Sequence, residues 1–363
     1  MNTPTPIKPE RHLGIDLLRI LAMVMVCTLH GNMFTGGLNK HPGHVDFQFM
    51  SSLTEAVSFI GVNVYALISG YMMVNARWKL ERYLILWLQV AFYVVGIVLL
   101  SWGLAAVGLW PADKVDYGYD GYNMLLLFFG SENWYFASYT VLYFLLPFVN
   151  LLLQNLGQRR HAMLVLLLCV VLPVVNVFSA DYVYADGYNF VWLGVMYILG
   201  AYVQLYRPQC PTWLLCGVSA LCIAVHTAVR EFTVADEMMT RAFTSYTSVF
   251  TVAYALCVFL LFSKYTPRHR WVCALITFFA PLTFGIFLAH THTSITRVLN
   301  PACRDFVHHL NYPWWLPLAI GPAVFLAFSL PELLRHHLFR LLRVNKWMKG
   351  LSAFIERPSC GNE

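Results

Sequence analysis

Asp16, Arg19 and His30 stand in the first apolar run of the chain, residues 14–30. Charge at membrane depth is expensive, so such groups pair, face the protein interior or take part in chemistry. Arg19 and His30 are eleven residues apart. On an α-helix that spacing returns to the same face after three turns, about 16 Å further along the axis. Asp16, one turn before Arg19, lies on nearly the same face and can pair with it. The spacing predicts a polar stripe along one helix, with a guanidinium near one end and an imidazole near the other. A guanidinium suits phosphate, and a neutral imidazole suits proton transfer. The plainer reading is an orienting ion pair and a hydrogen-bonded interior histidine.

Other polar groups join this set. Arg77, Lys79 and Arg82 cluster in a short loop. Such a cluster suits the phosphates of a ligand, and it also suits ordinary anchoring at the cytoplasmic face. His290 and His292 close a late apolar run. Two apart on a helix, they face different sides and make no natural chelating pair. His290 is expected at a depth similar to His30. His41 and His44 form only a weak metal pattern, and no metal site is expected. Glu132, Asn133 and Trp134 open a span together with further aromatic residues. Aromatics there serve an interfacial belt or stack on sugar rings.

These groups need a membrane scaffold. Of the 363 residues, 59% are hydrophobic and 12% charged, and the mean hydropathy is +0.60. An average soluble chain is about half apolar and about a quarter charged. No compact soluble fold hides that much apolar surface, so lipid must face much of it. A spanning helix takes about 20 apolar residues. Ten runs qualify: 13–33, 53–75, 83–109, 134–153, 161–179, 189–206, 212–229, 244–263, 272–291 and 313–334. The predicted fold is an all-α polytopic membrane protein of about ten transmembrane helices. The run 124–129 is too short to span and reads as re-entrant or interfacial. Pro147, Pro173, Pro281 and Pro322 fall inside spans, where neighbouring helices can satisfy the freed backbone groups. The expected division is a cytoplasmic tail over 1–12, a membrane domain over 13–335 and a basic cytoplasmic tail over 336–363. The first apolar run has no small-residue cleavage site after it and reads as a retained helix.

Lys and Arg in loops orient the chain. With the N-terminus inside, Lys40, Lys114, Arg230, Arg241, Arg297 and Arg304 fall outside and Arg19 lies within the first span. The other 17 of the 24 basic residues are then cytoplasmic. That asymmetry predicts an N-in, C-in topology. It also explains the net charge of +6 without nucleic acid, which is not an expected partner. Six of the nine Cys (27, 169, 216, 222, 257 and 273) lie in apolar runs and read as small core residues, not as a disulfide framework.

The ordered motifs resemble the membrane acyltransferase type 3 family. Its mark, a basic residue, ten residues and then His, is reproduced by Arg19 and His30. The second span, ending in Ser69, Gly70 and Tyr71, is similar to the family's aromatic-rich Ser-Gly-Phe/Tyr stretch. Asn133 to Phe136, Leu199 to Tyr202 and Phe284 to His290 match later elements in order. Asn63, Tyr65 and Lys79 depart from the usual pattern. The chain is most similar to the subgroup that O-acetylates surface glycans.

That resemblance implies acyl transfer from cytoplasmic acyl-CoA, most simply acetyl-CoA, to a hydroxyl of a cell-surface glycan or lipid-linked sugar at a bacterial inner membrane. The donor's phosphates would rest on Arg77, Lys79, Arg82 and Arg19. Ser69 would touch its pantetheine arm, and Gly70 would let the arm approach the backbone. His30 would be the general base, with His290 supporting it or orienting the acceptor. Glu132, Asn133 and Trp134 would bind sugar. The partners are then acyl-CoA, the glycan acceptor and the bilayer, with no metal. A flippase for a lipid-linked glycan and a succinyl-type acyltransferase are the alternatives. No internal repeat of the kind common in transporters is visible.

Overall fold

A computed structural model describes residues 11–37, 39, 41–127, 133–178, 185–232 and 237–356, apart from the side chains of 176, 237 and 240. The regular structure among them is helical throughout. α1 (Leu13–Thr35) is followed by α2 (Val45–Ser58) and α3 (Gly61–Met73), which form one rod. Next come α4 (Leu80–Ala106), a short α5 (Tyr117–Leu126) and α6 (Trp134–Asn155). α7 (Gln158–Leu166) passes through a π turn into α8 (Leu172–Phe178). α9 (Phe190–Tyr206), α10 (Thr212–Phe232), a single turn α11 (Glu237–Met239) and α12 (Val249–Ser263) follow. α13 (Arg270–Phe279) and α14 (Thr283–His290) form one broken span. α15 (Thr293–His309), α16 (Leu316–Leu341) and α17 (Val344–Ile355) complete the chain. Lys40, Glu132 and residues 1–10 and 357–363 of the tails lie outside the described residues.

Nine stretches among the described residues are long and apolar enough to cross a membrane. The expected sixth span, α9, has 17 residues, about 25 Å, near the lower limit for crossing. It is surrounded by protein: Trp192, Met196 and Tyr197 are fully buried. The second span begins at Val45, earlier than hydropathy suggests, because its polar residues have partners. Asn32 Nδ2 donates to the Ser51 carbonyl and to Thr54 Oγ1. Arg230 donates to both oxygens of Glu55 at 2.8 Å, and Ser52 donates to Glu231. Outward-facing Phe148, Leu151, Leu152, Trp213 and Leu334 are exposed, as helices facing lipid require. Cys27, Cys169, Cys222 and Cys257 are buried, whereas Cys216 is on the exposed surface of the bundle and Cys273 is partly exposed.

α1 lies at the centre, packed against α2, α3, α12 and α16. Beside it, α3 and α9 meet backbone to backbone. A Cβ on Gly70 would strike the Tyr197 carbonyl, and one on Gly200 the Leu67 carbonyl. Small residues allow this approach, which dispersion and close packing reward in lipid. Gly70 is therefore filled by a helix and offers no backbone surface to a ligand arm, contrary to the expectation from sequence.

The tenth span runs on to Leu341 because its charges neutralise each other. Glu332 is fully buried and Arg335 nearly so. Arg335 Nε and Nη2 donate to the carboxylate at 2.9 and 2.5 Å. Tyr93 from α4 donates to it at 2.6 Å. The carboxylate sits where Gly285 of α14 has no side chain. α4, α14 and α16 thus meet on one buried anion. Removing it strands Arg335, so Glu332→Ala is expected to cost about 3–5 kcal/mol. A fall of several degrees in the melting temperature of the detergent-solubilised protein checks this, and an unchanged transition contradicts it.

Candidate active site

The local sequence around Pro281 sets the imidazole pair. Proline has no backbone N–H, so the ninth span tightens into a 3₁₀ turn at Ala280–Leu282 and restarts as α14. That restart carries His290, fully buried, to the side of α1. His290 Nε2 lies 2.8 Å from His30 Nδ1, and His290 Nδ1 lies 2.7 Å from the Ile286 carbonyl.

These two distances assign the protons. A carbonyl oxygen only accepts, so His290 Nδ1 carries a hydrogen. In a neutral ring Nε2 then holds a lone pair. His30 Nδ1–H donates to that lone pair, and the His30 Nε2 is left as the basic nitrogen. No group among the described residues bonds to it. The arrangement orients one imidazole through a second, as a carboxylate orients the histidine of a hydrolase triad.

His30 stands where two cavities meet. One, of ≈180 Å³, is lined by His30, Asn123, Asn133, Trp134, Thr291 and His292, among others. Its wall is rich in amide, hydroxyl and imidazole groups. The other, of ≈80 Å³, is lined by His30 together with Met23, Val62, Tyr65 and several further aromatic and apolar side chains. Trp134 and Phe287 belong to both walls. Asn133 caps α6, its Oδ1 accepting from the Phe136 N–H at 3.0 Å. Asn133 and Trp134 therefore reach the cavity because the helix starts there.

His292 also lines the polar cavity, but it is tied to the next helix rather than to His30. Its Nδ1 accepts from the Ser294 N–H at the start of α15. Burial holds its pKa at about 4, so it is a neutral cap. α15 is pinned over the polar cavity by Arg297, which donates to buried Asp120 at 2.9 Å and lies over the Tyr119 ring.

Arg19 occupies the opposite end of α1. It donates to Asp16 at 2.8 Å, and Arg11 holds the other carboxylate oxygen. The ion pair expected from sequence is present. The Tyr65 hydroxyl donates to the Arg19 carbonyl at 2.9 Å, and Met23 and Val26, which follow Arg19 at helical spacing, line the apolar cavity with His30 and Tyr65. Arg19 and His30 thus share one side of the helix. The loop before α4 is docked on α6: the Tyr143 hydroxyl donates to the Lys79 carbonyl at 2.7 Å, and Trp78 Nε1 donates to the Tyr143 carbonyl at 3.1 Å. Arg77 and Lys79 are exposed in that loop, and Arg82, read from sequence as part of it, is exposed in the first turn of α4. Ser69 is half-buried, its hydroxyl turned to the Tyr65 carbonyl at 3.0 Å.

Sequence reasoning missed Asn63 and Glu332. Asn63 is fully buried, accepts from Trp192 Nε1 at 2.9 Å and donates to the Tyr246 carbonyl. It holds Tyr246 in the wall of the apolar cavity. Glu332 and Arg335 are separated by three residues in an apolar run, a signal for a paired buried charge. Among the described residues, no group of three His, Cys, Asp or Glu is placed to hold a metal ion.

Comparison with known proteins returns no match among curated proteins and none among solved structures. A family model described as an acyltransferase domain, acyltransferase 3, matches residues 12–331. That range begins just before the Arg19–His30 helix and ends one residue short of Glu332. On that match, over most of its length, this multi-pass membrane protein belongs to the acyltransferase 3 family and is an acyltransferase.

Proposed function

We propose that the chain transfers a short acyl group, acetyl, from acyl-CoA at the cytoplasmic face of a bacterial inner membrane to a hydroxyl of an envelope glycan or lipid-linked sugar reached from the opposite face. The reading rests on one observation above the rest. The unprotonated Nε2 of His30 stands where an amide-lined cavity and an aromatic-lined cavity meet. The N-in, C-in orientation is supported by the 17 of 24 basic residues that gather on one side. It makes the Arg82 end cytoplasmic and the His30 end outward.

In this reading the donor's phosphates rest on Arg77, Lys79 and Arg82, with Arg19 at the mouth of the track and Ser69 beside it. The pantetheine arm follows α1 for about 16 Å. His30 Nε2 removes the proton from the acceptor hydroxyl, and the oxygen adds to the thioester carbonyl carbon. The tetrahedral intermediate collapses with cleavage of the C–S bond. The imidazolium returns its proton to the thiolate, releasing the CoA thiol and an O-acyl ester. Asn133 and Trp134, with Glu132 just before them in sequence, bind the acceptor. The sequence resemblance to the subgroup that O-acetylates surface glycans supports this choice of acceptor.

Membranes containing the protein, incubated with acetyl-labelled acetyl-CoA, are expected to carry label on a glycan fraction. A flippase would move none. Replacing Lys79 and Arg82 together with Ala is expected to raise the KM for acetyl-CoA on the order of tenfold, the effect of about 1.4 kcal/mol of lost phosphate binding. Saturation kinetics in the donor check this, and an unchanged KM removes the loop from donor binding.

A further inference from the structure

The apolar cavity beside His30 has a built end. Four rings pack in sequence along it: Trp134 on Tyr188 at 4.9 Å, Tyr188 on Tyr246 at 5.2 Å, and Tyr246 on Phe59 at 4.6 Å between centroids. Asn63 fixes the Tyr246 backbone, donating to its carbonyl at 2.9 Å while it also holds Trp192. Val62, the neighbour of Asn63 on α3, and Leu29, the neighbour of His30 on α1, line the same cavity. The opposite end reaches Met23 and Tyr65, about 10 Å nearer Arg19 along α1. In the proposed track, a thioester carbonyl beside His30 leaves its acyl tail within the space that these rings and apolar side chains bound.

Volume and charge decide which tails fit. An apolar cavity of about 150 Å³ binds benzene, six heavy atoms. The ≈80 Å³ here holds about three heavy atoms on the same scale, the number in an acetyl group. A butyryl tail has two more carbons. A succinyl tail brings a carboxylate, and among the described residues lining this cavity none is charged. Burying that anion without a cation costs several kcal/mol.

We infer that this cavity is an acyl-measuring pocket, in which Val62, Leu29 and the ring stack held by Asn63 restrict the donor to short, uncharged acyl groups. The inference rests on the CoA-dependent reading above and adds the residues that select the donor. Membranes carrying the full chain are incubated with radiolabelled acetyl-, butyryl- or succinyl-CoA, and label on the acceptor fraction is measured. The wild-type protein is expected to favour acetyl over butyryl by about tenfold or more, and to transfer succinyl least, since even one methylene in a fitted apolar site is worth about 10–200-fold. Val62→Ala and Leu29→Ala are each expected to shift the butyryl-to-acetyl ratio toward butyryl by about tenfold. The ratio is read, not the acetyl rate, so a lower amount of protein does not obscure it. Equal use of the three donors by the wild type overturns the pocket. So do two variants that still transfer acetyl at the wild-type ratio. Transfer from no donor overturns the CoA-dependent reading beneath it, and the pocket with it.

Discussion

Replacing His30 with Ala lowers acyl transfer by about 10²–10⁴-fold, the usual contribution of a positioned general base. The loss is expected to fall on kcat and to leave the KM for acetyl-CoA nearly unchanged, because the proposed phosphate site lies at the other end of α1. Two observations set this expectation. His30 lines both cavities, which no other imidazole among the described residues does. Its Nδ1 is committed to His290 at 2.8 Å, so only Nε2 can take the proton. Steady-state kinetics on membranes with matched protein levels check this. Full activity in the variant removes His30 from the mechanism.

His290→Leu is the second large effect. Leucine offers no acceptor to the His30 Nδ1–H, so the ring can turn and can place its hydrogen on Nε2, where no base remains. A wrong tautomer is what makes the loss of an orienting partner severe in hydrolase triads. A fall in kcat on the order of 10²-fold or more is expected, again with little change in KM. His290→Gln supplies a carbonyl oxygen near the position of the lost Nε2, so it is expected to recover a substantial part of the rate. A purely structural role for His290 predicts no such difference between Leu and Gln, and equal activities in the two variants would refute the relay.

The sequence reveals the membrane scaffold and the stripe on α1 for the same reason. Lipid demands long apolar runs, and against that background each charge is conspicuous. The eleven-residue spacing of Arg19 and His30 could therefore be read as one helix face, and Tyr65 meets both ends of it in the fold, through the Arg19 carbonyl and the cavity at His30. The His30–His290 contact could not be read. It joins residues 260 apart in sequence and depends on the 3₁₀ turn at Pro281, whose local geometry hydropathy does not encode. Gly70 misled because a glycine that admits a ligand and one that admits a helix look alike in sequence; only the position of the Tyr197 carbonyl separates them. Buried carboxylates at Glu55, Asp120 and Glu332 escaped notice because their partners, except Arg335, come from distant helices. Glu132 lies outside the described residues, so its part in the acceptor site stands on the proposed function alone.

Sidedness is the most direct test of a track that begins at a donor loop on one face and ends at an imidazole near the other. Sealed inside-out vesicles, which present the Arg82 face to the medium, are expected to consume added acetyl-CoA and to place the acetyl group on an acceptor shielded inside. Sealed right-side-out vesicles are expected to consume none until permeabilised. Equal consumption by intact vesicles of both orientations would contradict the account, because it would put the donor site on the His30 side of the membrane.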